Sequence, residues 1–125
     1  MTSEIPENFR PPPELRASSR HTLDVTARML GHDAIPRPIR ITDISRGGIG
    51  LVGSTALQHG DTCAIAFDAN VNLESRRINV WAKVVYCVPL AEDAYRIGVR
   101  FRDYDSHSKM HIEQLCASNG LPVGW

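Results

Sequence analysis

The stretch Tyr95-Arg96-Ile97-Gly98-Val99-Arg100-Phe101-Arg102 sets an apolar side chain at every second position, with arginine or glycine between. Period two is the signature of a strand with one face buried. A few residues later the spacing changes. Met110, Ile112, Leu115 and Cys116 fit one face of a short amphipathic helix over about residues 106–118. Asp105 or Ser106 is placed to cap it, and Gly120 followed by Pro122 to end it. Upstream, residues 76–88 read as the longest strand, rich in Val, Ile, Trp and Tyr, with Pro89 to Asp93 turning the chain. Earlier still, Cys63–Phe67, Ile49–Val52, a strand around Ile39 and Ile41, and the alternation Leu23, Val25, Ala27, Met29 give four more strands. Gly31-His32-Asp33 and Gln58-His59-Gly60-Asp61 supply turns between them. Six short antiparallel strands followed by one helix predict a mainly β fold, a six-stranded antiparallel barrel with a C-terminal helix. Closure removes exposed strand edges, and the helix is available to cover one side.

The 125 residues suit one domain with a real core. Residues 1–13, with Pro6, Pro11, Pro12 and Pro13, read as a flexible arm of extended, polyproline-like chain. Residues 14–125 form the domain. No apolar run approaches the roughly 20 residues that span a bilayer. The first residues are acidic and polar, unlike a signal peptide. Three widely spaced cysteines, Cys63, Cys87 and Cys116, fit reduced thiols in the cytoplasm, the first two as small core residues. A formal net charge of zero argues against a nucleic-acid polymer as partner, which calls for a strong basic field. The 14 basic residues are nevertheless mostly arginine. Arginine forks onto phosphate and stacks on flat rings, although its use also tracks GC-rich genomes.

Two short motifs carry chemistry. Arg16 and Arg20 stand four apart where the Pro-rich arm meets the first strand. Asp43-Ile44-Ser45-Arg46-Gly47-Gly48 follows the second strand. The arginine spacing alone is weak, since Arg96 and Arg100 repeat it inside a strand. The second motif is also what an ordinary β-turn asks for. Its residues are nonetheless chemically specific. A carboxylate accepts from the N1–H and N2–H groups of guanine, and a hydroxyl either donates or accepts. Glycines admit close backbone approach and offer N–H groups to an anion. Arginines fork onto phosphate or guanine O6/N7, or stack on the base.

Arg16-x-x-x-Arg20, a first strand, then Asp43-x-Ser45-x-x-Gly48 resembles the signature of PilZ domains, bacterial receptors for the second messenger cyclic di-GMP. Ile49-Gly50-Leu51, the strand Tyr95–Phe101 and the closing helix follow the same pattern, so the resemblance covers about residues 14–118. It implies a six-stranded barrel with a C-terminal helix. It also implies that Arg16 and Arg20 hold phosphates and guanine Hoogsteen edges, while Asp43, Ser45 and Gly48 hold the other side of the base. Many members carry a basic residue just before the first motif arginine, where this chain has Leu15. That departure implies one bound ligand rather than a stacked pair. The output it implies is control of motility, adhesion or exopolysaccharide through an unknown downstream protein. A ligand-independent interaction adaptor of the same fold is the alternative.

Trp81 shares a strand face with Lys83, opposite the all-apolar Val80, Ala82 and Val84. It is a candidate to pack on a base, or else a packing residue beneath the helix. His107 and His111 share a helical face, but only Cys116 is placed to join them, so no metal site is expected. The acidic pairs Glu92/Asp93 and Asp103/Asp105 lack a partner for acid–base work, and no histidine completes a nucleophilic set with Ser45. The expectation is a receptor rather than an enzyme, with no cofactor beyond its ligand, no membrane insertion, and a monomeric or weakly dimeric state.

Overall fold

The computed structural model describes residues 20–118. The Pro-rich arm, Arg16, and the Gly120 and Pro122 helix stop lie outside the described residues. Six strands are present: β1 (His21–Leu30), β2 (Arg37–Ile44), β3 (Gly48–Gly53), β4 (Thr62–Val71), β5 (Glu74–Ala91) and β6 (Ala94–Tyr104). They are followed by one helix, α1 (Ser106–Ser118). The strands pair antiparallel around a closed ring in the order β1–β2–β3–β6–β5–β4. The ring closes where Ala27–Leu30 of β1 meet Phe67–Ala64 of β4.

Period two is what places the core. In β5, Ile78, Val80, Ala82 and Val84 point inward and are buried, while Trp81 and Lys83 point out. In β6, Ile97 and Val99 are buried and Arg100 and Arg102 exposed. Each fully buried branched side chain contributes about 1.5–3 kcal/mol relative to exposure. The helix sets Ile112, Leu115 and Cys116 against the barrel and packs on β5 and β4. Asp105 caps it, with the Ser108 N–H donating to Asp105 Oδ1 at 2.7 Å. That backbone hydrogen bond, the largest influence, holds the Asp105 carboxyl below its usual range. The Ser108 hydroxyl oxygen in turn accepts the Asn79 N–H at 2.8 Å and ties the first turn of α1 to β5.

Two connections differ from the sequence reading. β4 runs on to Val71 and β5 starts at Glu74, joined by Asn72 and Leu73 at φ 53° and 72°. This two-residue turn with both central residues left-handed matches the twist of the strands. Asn72 suits it, but Leu73 does not and is 99% exposed, so the residue types hid the turn. Replacing Leu73 by glycine is expected to raise stability by about 1 kcal/mol in urea unfolding, by removing the left-handed penalty of a side chain that packs on nothing in the barrel. A loss of stability would show that Leu73 makes a stabilising contact. The second correction concerns Pro89, read as the start of a turn. β5 instead continues through it, with Pro89 opposite Tyr95 and an irregularity before Ala91. Proline has no N–H for a ladder and is tolerated at such a bulge. The reversal comes later, with Asp93 at φ 60°.

The three cysteines are free. Burial pushes the Cys63 thiol up to about 11, with Asp61 adding to the shift, and burial also raises Cys116. Cys87 is only half-buried rather than a core residue, and its Sγ accepts the Leu57 N–H at 3.5 Å. Many arginines are used on the outer wall, pairing with a carboxylate: Arg37 with Asp33, Arg40 with Asp24, Arg76 with Glu74, and Arg77 with Asp68. The side-chain hydrogen bond from each partner arginine holds Asp24 and Asp68 below the usual carboxylate range and Asp33 at about 2.

Candidate functional site

β2 ends at the turn that contains Ser45, Arg46 and Gly47, and the ring order puts this turn between β1 and β6. Asp43 lies level with Thr22 of β1 and Gly50 of β3. The β2–β3 register shifts between Ile41 and Asp43. Such an irregularity re-aims the side chains beside it. Arg20, at the entry to β1, donates from Nη1 to Asp43 Oδ1 at 3.1 Å, across 23 residues of sequence. The Thr42 hydroxyl lies 3.2 Å from both Asp43 Oδ2 and the Gly50 carbonyl, with one proton to share between them. Both partners of the ion pair are partly exposed, so water and a ligand can reach it.

Gly50 makes this arrangement possible. A Cβ there would stand 2.6 Å from Asp43 Oδ2 and 2.9 Å from Oδ1. The carboxylate lies directly over the glycine, which the sequence motif does not flag. Its signal was only that a glycine interrupts the apolar run of β3, where a side chain would otherwise be expected.

Ser45 is turned into the protein. It is 2% exposed. Its Oγ accepts the Gly47 and Gly48 N–H groups, each at 3.2 Å, and lies 3.5 Å from the Gly48 carbonyl. The Ser45 N–H donates to the same carbonyl at 2.9 Å. Serine in this place folds the turn. Gly48 belongs to the same device: a Cβ on it would stand 2.1 Å from the Val99 carbonyl oxygen, so the missing side chain admits β6 rather than open space. The Gly47 carbonyl accepts the Phe101 N–H at 2.9 Å and fixes the turn to β6. Of the predicted site residues, the structure joins Arg20 to Asp43 and buries Ser45 and Gly48 in the turn that follows β2.

Trp81 is 54% exposed, on the outer face of β5. It is level with Asp103 of β6 and Ala64 of β4. Packing beneath the helix is therefore not its role. β5 is separated from β3 by β6 alone, so Trp81 and the turn lie about two strand spacings, roughly 10 Å, apart around the wall. His21, which follows Arg20, turns inward and is 2% exposed, with neither ring nitrogen hydrogen-bonded among the described residues. No group of three or more metal-ligating side chains occurs among the described residues.

Comparison with known proteins places the fold. The PilZ domain family matches residues 14–118. The chain belongs to the PilZ domain family. No curated protein sequence matches it. Among solved structures, it is similar to the Bacillus subtilis inhibitor of motility MotI/DgrA (TM-score 0.69, 17% identity), over 87% of this chain and 56% of that one. It is similar to the PilZ domain of YcgR from Escherichia coli, solved with c-di-GMP (TM-score 0.60, 17% identity), over 81% and 88%. It is also similar to MrkH of K. pneumonia, solved as a c-di-GMP complex (TM-score 0.64, 19% identity), over 82% and 50%. The chain thus spans about half the length of MotI and MrkH. At these identities the likeness is one of fold.

Proposed function

We propose that this chain is a bacterial, cytoplasmic receptor for cyclic di-GMP that relays the signal to a downstream protein, and not an enzyme. The observation that carries the reading is the Arg20–Asp43 pair, which brings the two motifs into contact on the outside of the barrel. Asp43 offers carboxylate oxygens to the N1–H and N2–H edge of a guanine, and Arg20 a fork to its Hoogsteen edge or to a phosphate. Arg16, four residues before Arg20 in sequence, adds a second fork. Ser45 and Gly48 serve by holding the turn rigid, and Trp81 by offering a ring on the same wall. Family membership and the c-di-GMP bound to YcgR and MrkH support the choice of ligand. No helix among the described residues is long and apolar enough to cross a membrane.

Binding would exchange the Arg20–Asp43 contact for contacts of both residues with the ligand. The arm ahead of Arg20 then takes a new position, and the surface shown to a partner changes. The ligand drives this only through its higher affinity for the closed arm. Calorimetric titration with cyclic di-GMP at roughly 10–100 μM tests it, with GTP and single-stranded RNA as controls. Heat with cyclic di-GMP alone is the expected result. Silence with all three would leave the ligand-independent adaptor as the reading.

A further inference from the structure

The outer face of β5 and β6 holds cations that the motif does not include. Lys83 stands directly opposite Arg100, and Arg100 is level with Gly48 of the turn. One row further, Trp81 faces Asp103 while Ala82 faces Phe101, so Arg102 is the extra residue of a β-bulge. Bulges re-aim the side chain they carry and gather beside functional sites. Lys83 and Arg102 are exposed, and among the described residues neither has a carboxylate at ion-pair distance. Most other arginines on the wall do.

Arg102 also joins two concavities. One, of about 470 Å³, is lined by Thr62, Trp81, Ala82, Arg102 and Asp103. The other, of about 280 Å³, includes His59, Lys83, Arg100 and Arg102. The single carboxylate in the first, Asp103, accepts the Tyr104 N–H through Oδ1 at 2.8 Å. A chain with zero net charge has thus set two cations without a carboxylate partner and an exposed indole on one stretch of wall, near the turn that carries the motif.

We propose that this face is a second phosphate-and-base subsite, in which Arg102 and Lys83 hold a phosphate of the bound cyclic dinucleotide and Trp81 stacks on the base farther from Asp43. The proposal rests on the cyclic di-GMP reading above and deepens it. The ligand's chemistry fits the layout, since it has two phosphates and two flat bases around one ring. The span from Gly48 across β6 to Trp81 is about two strand spacings, roughly 10 Å. A guanine anchored at Asp43 leaves the other half of the molecule to be held along this face. Charge-assisted forks and base–indole stacking are the interactions available there.

The test measures cyclic di-GMP affinity by calorimetry for the wild type, Arg102→Ala, Arg102→Lys, Lys83→Ala and Asp43→Ala, with melting temperatures for each. Arg102→Ala is expected to weaken binding about tenfold with an unchanged melting temperature, and Arg102→Lys to recover part of it. Should Arg102→Ala fold poorly, Lys83→Ala and tryptophan emission decide. In a Trp125→Phe background Trp81 is the sole tryptophan, and its emission is expected to shift on saturation. Wild-type affinity in Arg102→Ala and Lys83→Ala, or silent Trp81 emission, overturns the subsite while Asp43→Ala still loses binding and the receptor stands. No binding by the wild type removes the receptor reading and the subsite with it.

Discussion

Gly48→Ala is expected to cost about 3 kcal/mol of stability and to lower the melting temperature by roughly 10–20 °C. The added methyl would stand 2.1 Å from the Val99 carbonyl oxygen and 3.2 Å from its carbon. Both are backbone atoms in a paired strand, so the neighbour has no free torsion with which to give way. The strain must move β3 away from β6, where Gly48 is level with Arg100 and Ile49 with Val99. It must also disturb the Ser45 hydroxyl that accepts the Gly47 and Gly48 N–H groups. Thermal unfolding of the two proteins by circular dichroism checks this. A variant as stable as the wild type would mean that the glycine is present for the ligand rather than for the fold.

Asp43→Ala is expected to do the opposite, leaving the fold nearly untouched and removing ligand. The Arg20–Asp43 pair is partly exposed, and such pairs contribute only about 0–1 kcal/mol to folding. Its loss should move the melting temperature little. Toward the ligand the same carboxylate makes charge-assisted hydrogen bonds, each worth about 1.5–3 kcal/mol, so the affinity should fall roughly ten- to a hundred-fold. Arg20→Ala should match it in direction, because it removes the fork that faces the same guanine. Calorimetry with melting curves on both variants checks the pair. Wild-type affinity in Asp43→Ala would separate the motif from binding, and a large fall in stability would make the pair structural.

The strands and the helix were legible because each buries one face at a regular period. β6 alternates Ile97, Val99 and Phe101 with outward arginines, and α1 buries Ile112 and Leu115. Where the reading failed, local chemistry was overruled by neighbours. Pro89 lies inside β5 because a bulge excuses its missing N–H. Leu73 occupies a left-handed turn position because the twist of β4 and β5 demands it. At the site, the structure divides the named residues into two groups. Asp43 and Arg20 meet on the surface, whereas Ser45 and Gly48 are committed to the turn and to β6. Gly50 was legible only as part of a pattern, because its reason, the Asp43 carboxylate above it, exists only once β2 and β3 have paired. Arg102 escaped notice because a bulge is a property of two strands in register.

The joint between β1 and β4 gives the barrel a weak seam. Only Ala27–Leu30 and Phe67–Ala64 are matched there, while β4 and β5 pair along ten positions. The partners are 40 residues apart at Ala27 and Phe67, so chain entropy opposes their meeting until the hairpins are in place. With four matched positions against six between β3 and β6, this joint is expected to open before the other long-range one. Amides along this joint should exchange with deuterium ahead of those between β5 and β6. Arg20 enters β1 and grips Asp43 of β2, so a ligand fastened to both would stiffen the strand that closes the ring. Protection of the seam is the trace that occupancy should leave on strand pairing away from the motif itself.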